Sequence, residues 1–240
     1  MKKTNVLLSK GIKALRKSDE EIERLIAPRS EEIISLLDRY INEIKFFNPA
    51  YGLVGTNDKS ELVIKHILDS LAPLGIISRL LASLRATNGE VEAARIADAG
   101  SGAGLPGIPL AIALKDCGFT LIERMVRRAG FLLNTTAVLE LSNITVEEAE
   151  LEEISLRSFN LVTFRAFMPL EPKLLKTLFS VLRTGGVIAA YKGRREKIEE
   201  EMLPLDAFIR DARGLWEAVP YKVPFLEEER HLLIIRTPEA

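Results

Sequence analysis

The run Asp98-Ala99-Gly100-Ser101-Gly102-Ala103-Gly104-Leu105-Pro106-Gly107 constrains the fold of this chain more than any other stretch. Glycines at this density do not suit a helix or strand interior, where each costs about 0.5–1 kcal/mol relative to alanine. They suit a tight connection, or a place where the backbone must come close to something else. Ile96-Ala97-Asp98-Ala99 before the turn reads as a strand, and Pro109 to Leu114 behind it reads as a helix. Strand, glycine turn and helix in that order open a βαβ unit, and the turn falls at the carboxyl end of a parallel strand, where open α/β sheets bind ligands. The helix start would add unpaired N–H groups, and Pro106 or Pro109 fits a first helical turn because the N–H it lacks is not needed there.

Short apolar runs alternating with helical stretches follow. Phe119 to Glu123, Ile144 to Glu147, Leu161 to Arg165 and Val187 to Tyr191 are strand-like, and Ala129 to Leu141 and Pro172 to Leu182 carry helical spacing. The alternation implies right-handed crossovers and a parallel sheet covered on both faces. Ala218 to Phe225 and His231 to Thr237 differ. Their link, Leu226 to Arg230, is too short for a crossover helix, so they form an antiparallel hairpin on the sheet's edge. Residues 91–240 thus read as an α/β unit with a mostly parallel seven-stranded sheet. Residues 1–90 read as a helical segment. Ile33, Ile34, Leu37, Tyr40, Ile41 and Ile44 recur at helical spacing from Ser30 to Phe47, with Asn48-Pro49 as the stop. Further helices span Ser60 to Leu71, broken by Pro73-Leu74-Gly75, and Ser78 to Leu84, ending at Asn88-Gly89.

Acidic and basic side chains nearly balance, 34 against 33, for a net charge of −1. This excludes a protein that coats nucleic acid by overall charge and sends any polyanion to a local patch. Cys117, the one cysteine, supports neither an internal disulfide nor a multi-cysteine zinc site, and His66 and His231 are too few for a His-rich one. No metal is expected, and a reducing cytoplasmic compartment is. No run of 18 apolar residues occurs, and Met1-Lys2-Lys3-Thr4 is not followed by a signal-peptide core, so neither export nor membrane insertion is expected.

Gly102-x-Gly104-x-x-Gly107 satisfies the dinucleotide fingerprint, and Glu123, at the end of the second strand, offers two acceptor oxygens to ribose hydroxyls. A nicotinamide-dependent oxidoreductase is therefore one reading. Two features favour S-adenosylmethionine. Asp98 stands two positions before Gly100, where it can reach the methionine end of that cofactor directly or through water, but would repel a pyrophosphate. The terminal hairpin is the usual edge of methyltransferase sheets. Asp98, Gly100, Gly102 and Glu123 are the candidate cofactor contacts in this reading, with Leu151 and Glu152, after the third strand, at the adenine's edge. Arg165 closes the fourth strand at the ligand crevice, where it could meet the cofactor's carboxylate or an RNA phosphate bidentately. Arg124, Arg127 and Arg128 after the second strand, and Lys192, Arg194 and Arg195 after the fifth, are candidate RNA contacts. His66 and Asp69, three apart on one helix face, could pair with each other or touch the substrate.

The run from Asp98 to Leu110, together with His66-Ile67-Leu68-Asp69-Ser70-Leu71, Arg127-Arg128-Ala129-Gly130-Phe131-Leu132, Arg165-Ala166 and Lys192-Gly193, resembles the small-subunit ribosomal RNA guanine-N7 methyltransferase family, also called glucose-inhibited division protein B. The resemblance covers roughly Ser30 to Arg236. It implies a class I, Rossmann-like methyltransferase sheet behind a helical N-terminal segment, S-adenosylmethionine as donor, and a guanine in the decoding region of 16S ribosomal RNA, or of the small ribosomal subunit, as acceptor. By matching motif positions it puts cofactor contacts at Gly100, Leu105, Leu151, Glu152 and Arg165. Glu123 stands where the family more often has Asp, Glu150 where many members have arginine, and Phe47-Asn48-Pro49 replaces Trp-Asn-Lys. The first 29 residues are an extension, and the expected state is a monomer.

Guanine N7 carries an in-plane lone pair and no proton, so its methylation needs alignment and no general base. The sequence offers no convincing base. Asn48-Pro49-Ala50-Tyr51 imitates an exocyclic-amine methyltransferase motif but precedes the glycine turn, so it reads as a helix stop. A methyltransferase of the same fold acting on another acceptor remains an alternative.

Overall fold

A computed structural model describes residues 3–88, 93–211 and 215–236. The strands are β1 (Arg95–Ala99), β2 (Gly118–Ile122), β3 (Ile144–Glu147), β4 (Phe159–Arg165), β5 (Leu182–Lys192), β6 (Leu215–Tyr221) and β7 (Arg230–Arg236). They form one sheet in the order β3-β2-β1-β4-β5-β7-β6. β1 to β5 pair in parallel, and β7 runs antiparallel between β5 and β6. The chain steps outward from β1 to β3, then returns to lay β4 on the other side of β1. The carboxyl ends of β1 and β4 therefore flank the point where strand order reverses, the place such sheets leave open for a ligand. The hairpin is on the expected edge, but β6 runs Leu215–Tyr221 where Ala218 to Phe225 was expected, because the chain turns at Phe225 with a φ of 68°, and Arg230 begins β7 instead of closing the link. Thr237 and Gly89 fall outside the described residues.

Two-residue periodicity sorts the strands' side chains into two cores. Ile96, Leu161, Val187 and Leu232 face one side, and Ala97, Val162, Ile188 and Leu233 the other. On the first face lie α1 (Lys3–Ser18), α2 (Glu20–Ile26), α3 (Ser30–Tyr51), α4 (Lys59–Glu61), α5 (Asp69–Leu71), α6 (Leu74–Asn88), α7 (Gly107–Ala113) and α8 (Val126–Val138), with a π-helical segment, Leu62–Leu68, between α4 and α5. The second face is covered by α9 (Pro172–Val181), α10 (Arg195–Met202) and α11 (Asp206–Asp211).

The helical segment departs from expectation in three places. α3 runs through Pro49 to Tyr51 and ends at Gly52, whose φ of 59° is the left-handed cap that stops it. Pro49 withholds only one N–H, and the Asn48 side chain holds the following loop by accepting from Val54 N and donating to Thr56 O and Asn57 Oδ1. α6 starts at Leu74, so Gly75 lies in its first turn. A Cβ there would sit 2.4 Å from the Asp19 carboxylate, so this glycine permits close packing and is no helix breaker. The extension folds into α1 and α2, with Leu8, Ile12, Leu15, Ile22 and Ile26 buried in the cluster that covers the sheet.

Candidate active site

The glycine turn is built around Asp98. Its carboxylate is wholly buried, and Oδ2 accepts from Ser101 Oγ at 2.6 Å and from Gly107 N at 3.0 Å. Oδ1 has no partner among the described residues. Burial pushes this carboxyl up to about 7. Asp98 thus faces into the turn and does not line the cavity, and it uses the N–H at the start of α7 that the sequence left open for a ligand. The next N–H, of Ile108, goes to Gly104 O at 2.8 Å. From α3, the buried Tyr40 hydroxyl donates to Ala103 O at 2.6 Å and fixes the turn from above.

Gly100 has a φ of 63°, and a Cβ on it would lie 2.0 Å from Cδ2 of Phe167. Only a bare backbone fits under that ring. Glu123 is buried beside the turn, with Oε2 accepting from Gly102 N and Oε1 from Met125 N, both at 2.9 Å. Each oxygen retains a second lone pair for a ligand hydroxyl.

Two cavities meet at Gly100, Arg128 and Phe167. The larger, about 620 Å³, is walled by Gly102 and Leu105 of the turn, by Arg165 of β4, and by His66 and Asp69 from the helices. The smaller, about 180 Å³, is walled by Glu123, Arg124, Glu150 and Leu151. Glu152 is exposed on the next turn position and lines neither.

Arg165 is committed to the helical segment. Its Nη1 donates to Lys65 O and to Asp69 Oδ2, both at 3.1 Å, and its Nη2 lies 3.0 Å from His66 Nδ1. Arginine has no acceptor, so His66 Nδ1 must accept and its proton sits on Nε2. Burial, followed by the Arg165 charge, pulls His66 down to about 4, so it is neutral at physiological pH. The other Asp69 oxygen accepts from the Tyr221 hydroxyl at 3.2 Å and lies 3.4 Å from Arg230 Nε. His66 and Asp69 meet through Arg165, and the β6–β7 hairpin completes the cluster. Tyr221 and Arg230 were not legible beforehand, because no local pattern shows that a hairpin end will reach a helix far earlier in the chain.

The basic candidates divide. Arg128 and Lys192 line the larger cavity. Lys192 is paired with Glu201 at 2.7 Å, and Arg128 Nη2 donates to Gly52 O at 3.4 Å. Arg124 and Arg195 are exposed and paired with Glu150 and Glu199, while Arg127 and Arg194 lie on the surface.

A glycine floor, a carboxylate with spare acceptor capacity and a turn whose helix start is already occupied suit a ligand with hydroxyls, a base and no phosphate. S-adenosylmethionine fits that description, and a dinucleotide does not. The family model of GidB, rRNA small subunit methyltransferase G, matches residues 33–233. The ribosomal RNA small subunit methyltransferase G of Treponema denticola is 36% identical over 254 residues, covering 98% of this chain and 95% of that protein. The protein of the same name from Treponema pallidum is 40% identical over 212 residues, 87% of each chain. A SAM-dependent methyltransferase from Aquifex aeolicus shares the fold, with a TM-score of 0.51 at 15% identity over 74% of this chain and 93% of that one. The chain belongs to the rRNA small subunit methyltransferase G family.

Proposed function

We propose that this enzyme transfers the methyl group of S-adenosylmethionine to N7 of a guanine in 16S ribosomal RNA. The observation that carries the reading is the meeting of two cavities at the bare backbone of Gly100, one beside the Glu123 carboxylate and one open to the helical segment. Bound there, S-adenosylmethionine supplies an electrophilic methyl on a sulfonium. Glu123 accepts the ribose hydroxyls, Leu151 and Glu150 edge the adenine with Glu152 outside the pocket, Gly102 lets backbone approach the methionine end beside Leu105, and the bare Gly100 makes room for the Phe167 ring between the two cavities. Asp98 holds the shape of the turn. Arg165 faces the larger cavity, where it meets the cofactor's carboxylate or an acceptor phosphate.

N7 has a lone pair and no proton, so the chain has only to hold the base in line. The neutral His66 adds no further positive charge beside Arg165 in the cavity where the methylated purine becomes cationic. Residues 91–240 hold the donor, and residues 1–90 roof the acceptor side. Arg124, Arg127, Arg128, Arg194 and Arg195 meet phosphates around the mouth, with Lys192 fixed by Glu201 at its edge. The working form in this reading is a cytoplasmic, metal-free monomer acting on RNA of the small subunit.

Labelled methyl transfer to small subunits from a strain lacking this gene, followed by nuclease digestion and mass spectrometry, tests the reading. Label on guanine N7 of 16S RNA is the expected result; label elsewhere, or none with the cofactor bound, would overturn it.

A further inference from the structure

We propose that the exposed lysine face of α1 is a second docking surface for RNA, holding backbone phosphates of the small subunit away from the reacting guanine; this rests on the ribosomal RNA reading above. α1 carries five basic residues, including Lys10, Lys13 and Lys17, and no acidic one, in a chain whose net charge is −1. Those three lysines are exposed and make no ion pair or hydrogen bond among the described residues.

Their spacing is the informative part. Lys10 and Lys13 are three apart, and Lys13 and Lys17 four apart, so neighbours on the helix face repel. Elsewhere this protein uses the same spacings for opposite charges, as in Lys65–Glu61, Arg195–Glu199 and Lys197–Glu200. A helix face that stacks like charges gains by meeting a polyanion, which relieves this repulsion and releases counterions. The stripe spans about 10 Å, two helical turns, which matches on the order of two or three backbone phosphates.

A cavity of about 680 Å³ runs beside the stripe, walled by Lys13, Lys17 and the hydroxyl-bearing Ser9 and Ser30. Arg16 in the same lining is neutralised by Glu23 at 2.7 Å, and Glu20 also lines the cavity, so the exposed lysines are the cations left for a phosphate there. An anionic membrane is the weaker partner. The apolar face of α1, Leu8, Ile12 and Leu15, is wholly buried, which leaves only Val6 exposed among the large apolar residues described on this helix, too little to anchor it in a bilayer. α1 also packs through Gly11 against Leu68 of the π segment that carries His66, so a grip on α1 bears on the roof of the larger cavity.

The test compares the full chain with Lys10→Gln/Lys13→Gln/Lys17→Gln and with a control of equal charge change, Lys173→Gln/Lys176→Gln/Lys197→Gln. Binding to unmethylated small subunits is followed across potassium chloride concentration, alongside kcat, KM and calorimetric affinity for S-adenosylmethionine. The α1 variant is expected to raise KM for subunits about tenfold and to flatten the slope of log affinity against log salt by about two. Its kcat and cofactor affinity should match the wild type, and the control should keep the wild-type slope. An unchanged KM and slope in the α1 variant, an equal loss in the control, or wild-type binding to anionic vesicles as tight as to subunits would each overturn the proposal. A wild-type chain that methylates no subunit RNA would fail the parent reading first, and it is read from the wild-type arm alone.

Discussion

The guanidinium of Arg165 serves two surfaces at once. Its side chain is only 16% exposed and bonds Lys65 O, Asp69 and His66, yet it lines the larger cavity. A charge at a strand's carboxyl end was readable in the sequence, but the partners that fix its direction come from a helix about a hundred residues earlier. Arg165→Lys keeps the charge and loses the fork. It is expected to lower methyl transfer at least tenfold while shifting the unfolding midpoint only a few degrees. Arg165→Ala should also cost about 2–3 kcal/mol of stability in chemical denaturation, because it withdraws one partner from the buried Asp69.

Asp98 and His66 pull the pH profile in opposite directions. Asp98 rises from 3.8 to about 7 on folding, so the folded state binds the extra proton between those values and stability falls as pH climbs through that window. His66 drops from 6.5 to about 4, so the unfolded state binds the extra proton and stability falls as pH drops from 6.5 toward 4. Asp98→Asn should remove the first slope and leave the second. Urea midpoints measured from pH 4 to pH 8 should then rise to a plateau near pH 6.5 in the variant, whereas in the wild type the two slopes nearly cancel up to about pH 6.5 and leave a small decline between there and about pH 7.5. A variant curve that still declines would reject this assignment to Asp98.

At the scale of elements, the strands were legible because two-residue alternation and punctuation agree. Ile144 to Glu147 is β3, and β1, β2 and β4 differ from expectation by a residue or two. β5 begins five residues earlier than its apolar run, where a register shift opposite Phe159 lets Leu182 join the ladder. Pro49 and Gly75 misled because their effect depends on neighbours: one proline does not end α3, and the Asp19 carboxylate requires the glycine in α6. Of the glycine turn, the chain direction and the bare floor were readable, but not that Asp98 would occupy the start of α7. Gly100→Ala is expected to abolish calorimetric binding of S-adenosylmethionine and to cost about 1–3 kcal/mol, through its positive φ and the collision with Phe167. Gly55→Ala, with no atom within 4 Å of its new Cβ, should unfold and bind like the wild type.

At the scale of the molecule, the helices and the sheet share one apolar cluster, in which Leu8, Ile12 and Leu15 lie with Phe119 and Leu232. Removing residues 1–29 would uncover α3 and the π segment, and such a truncation is expected to show dye-detected exposed apolar surface or to aggregate, whatever cofactor is added. Full solubility with a wild-type midpoint would contradict that packing.

Tyr40 reaches down to Ala103 O, and Arg165 reaches up to Lys65 O. Each side of the cleft therefore holds a backbone atom of the other in place. Thermodynamic linkage makes any coupling through these two struts symmetric: whatever factor RNA on the roof adds to the grip on the donor, the donor returns to the grip on RNA. Neither ligand is thereby favoured to leave first: the departure of either one changes the grip on the other by the same factor.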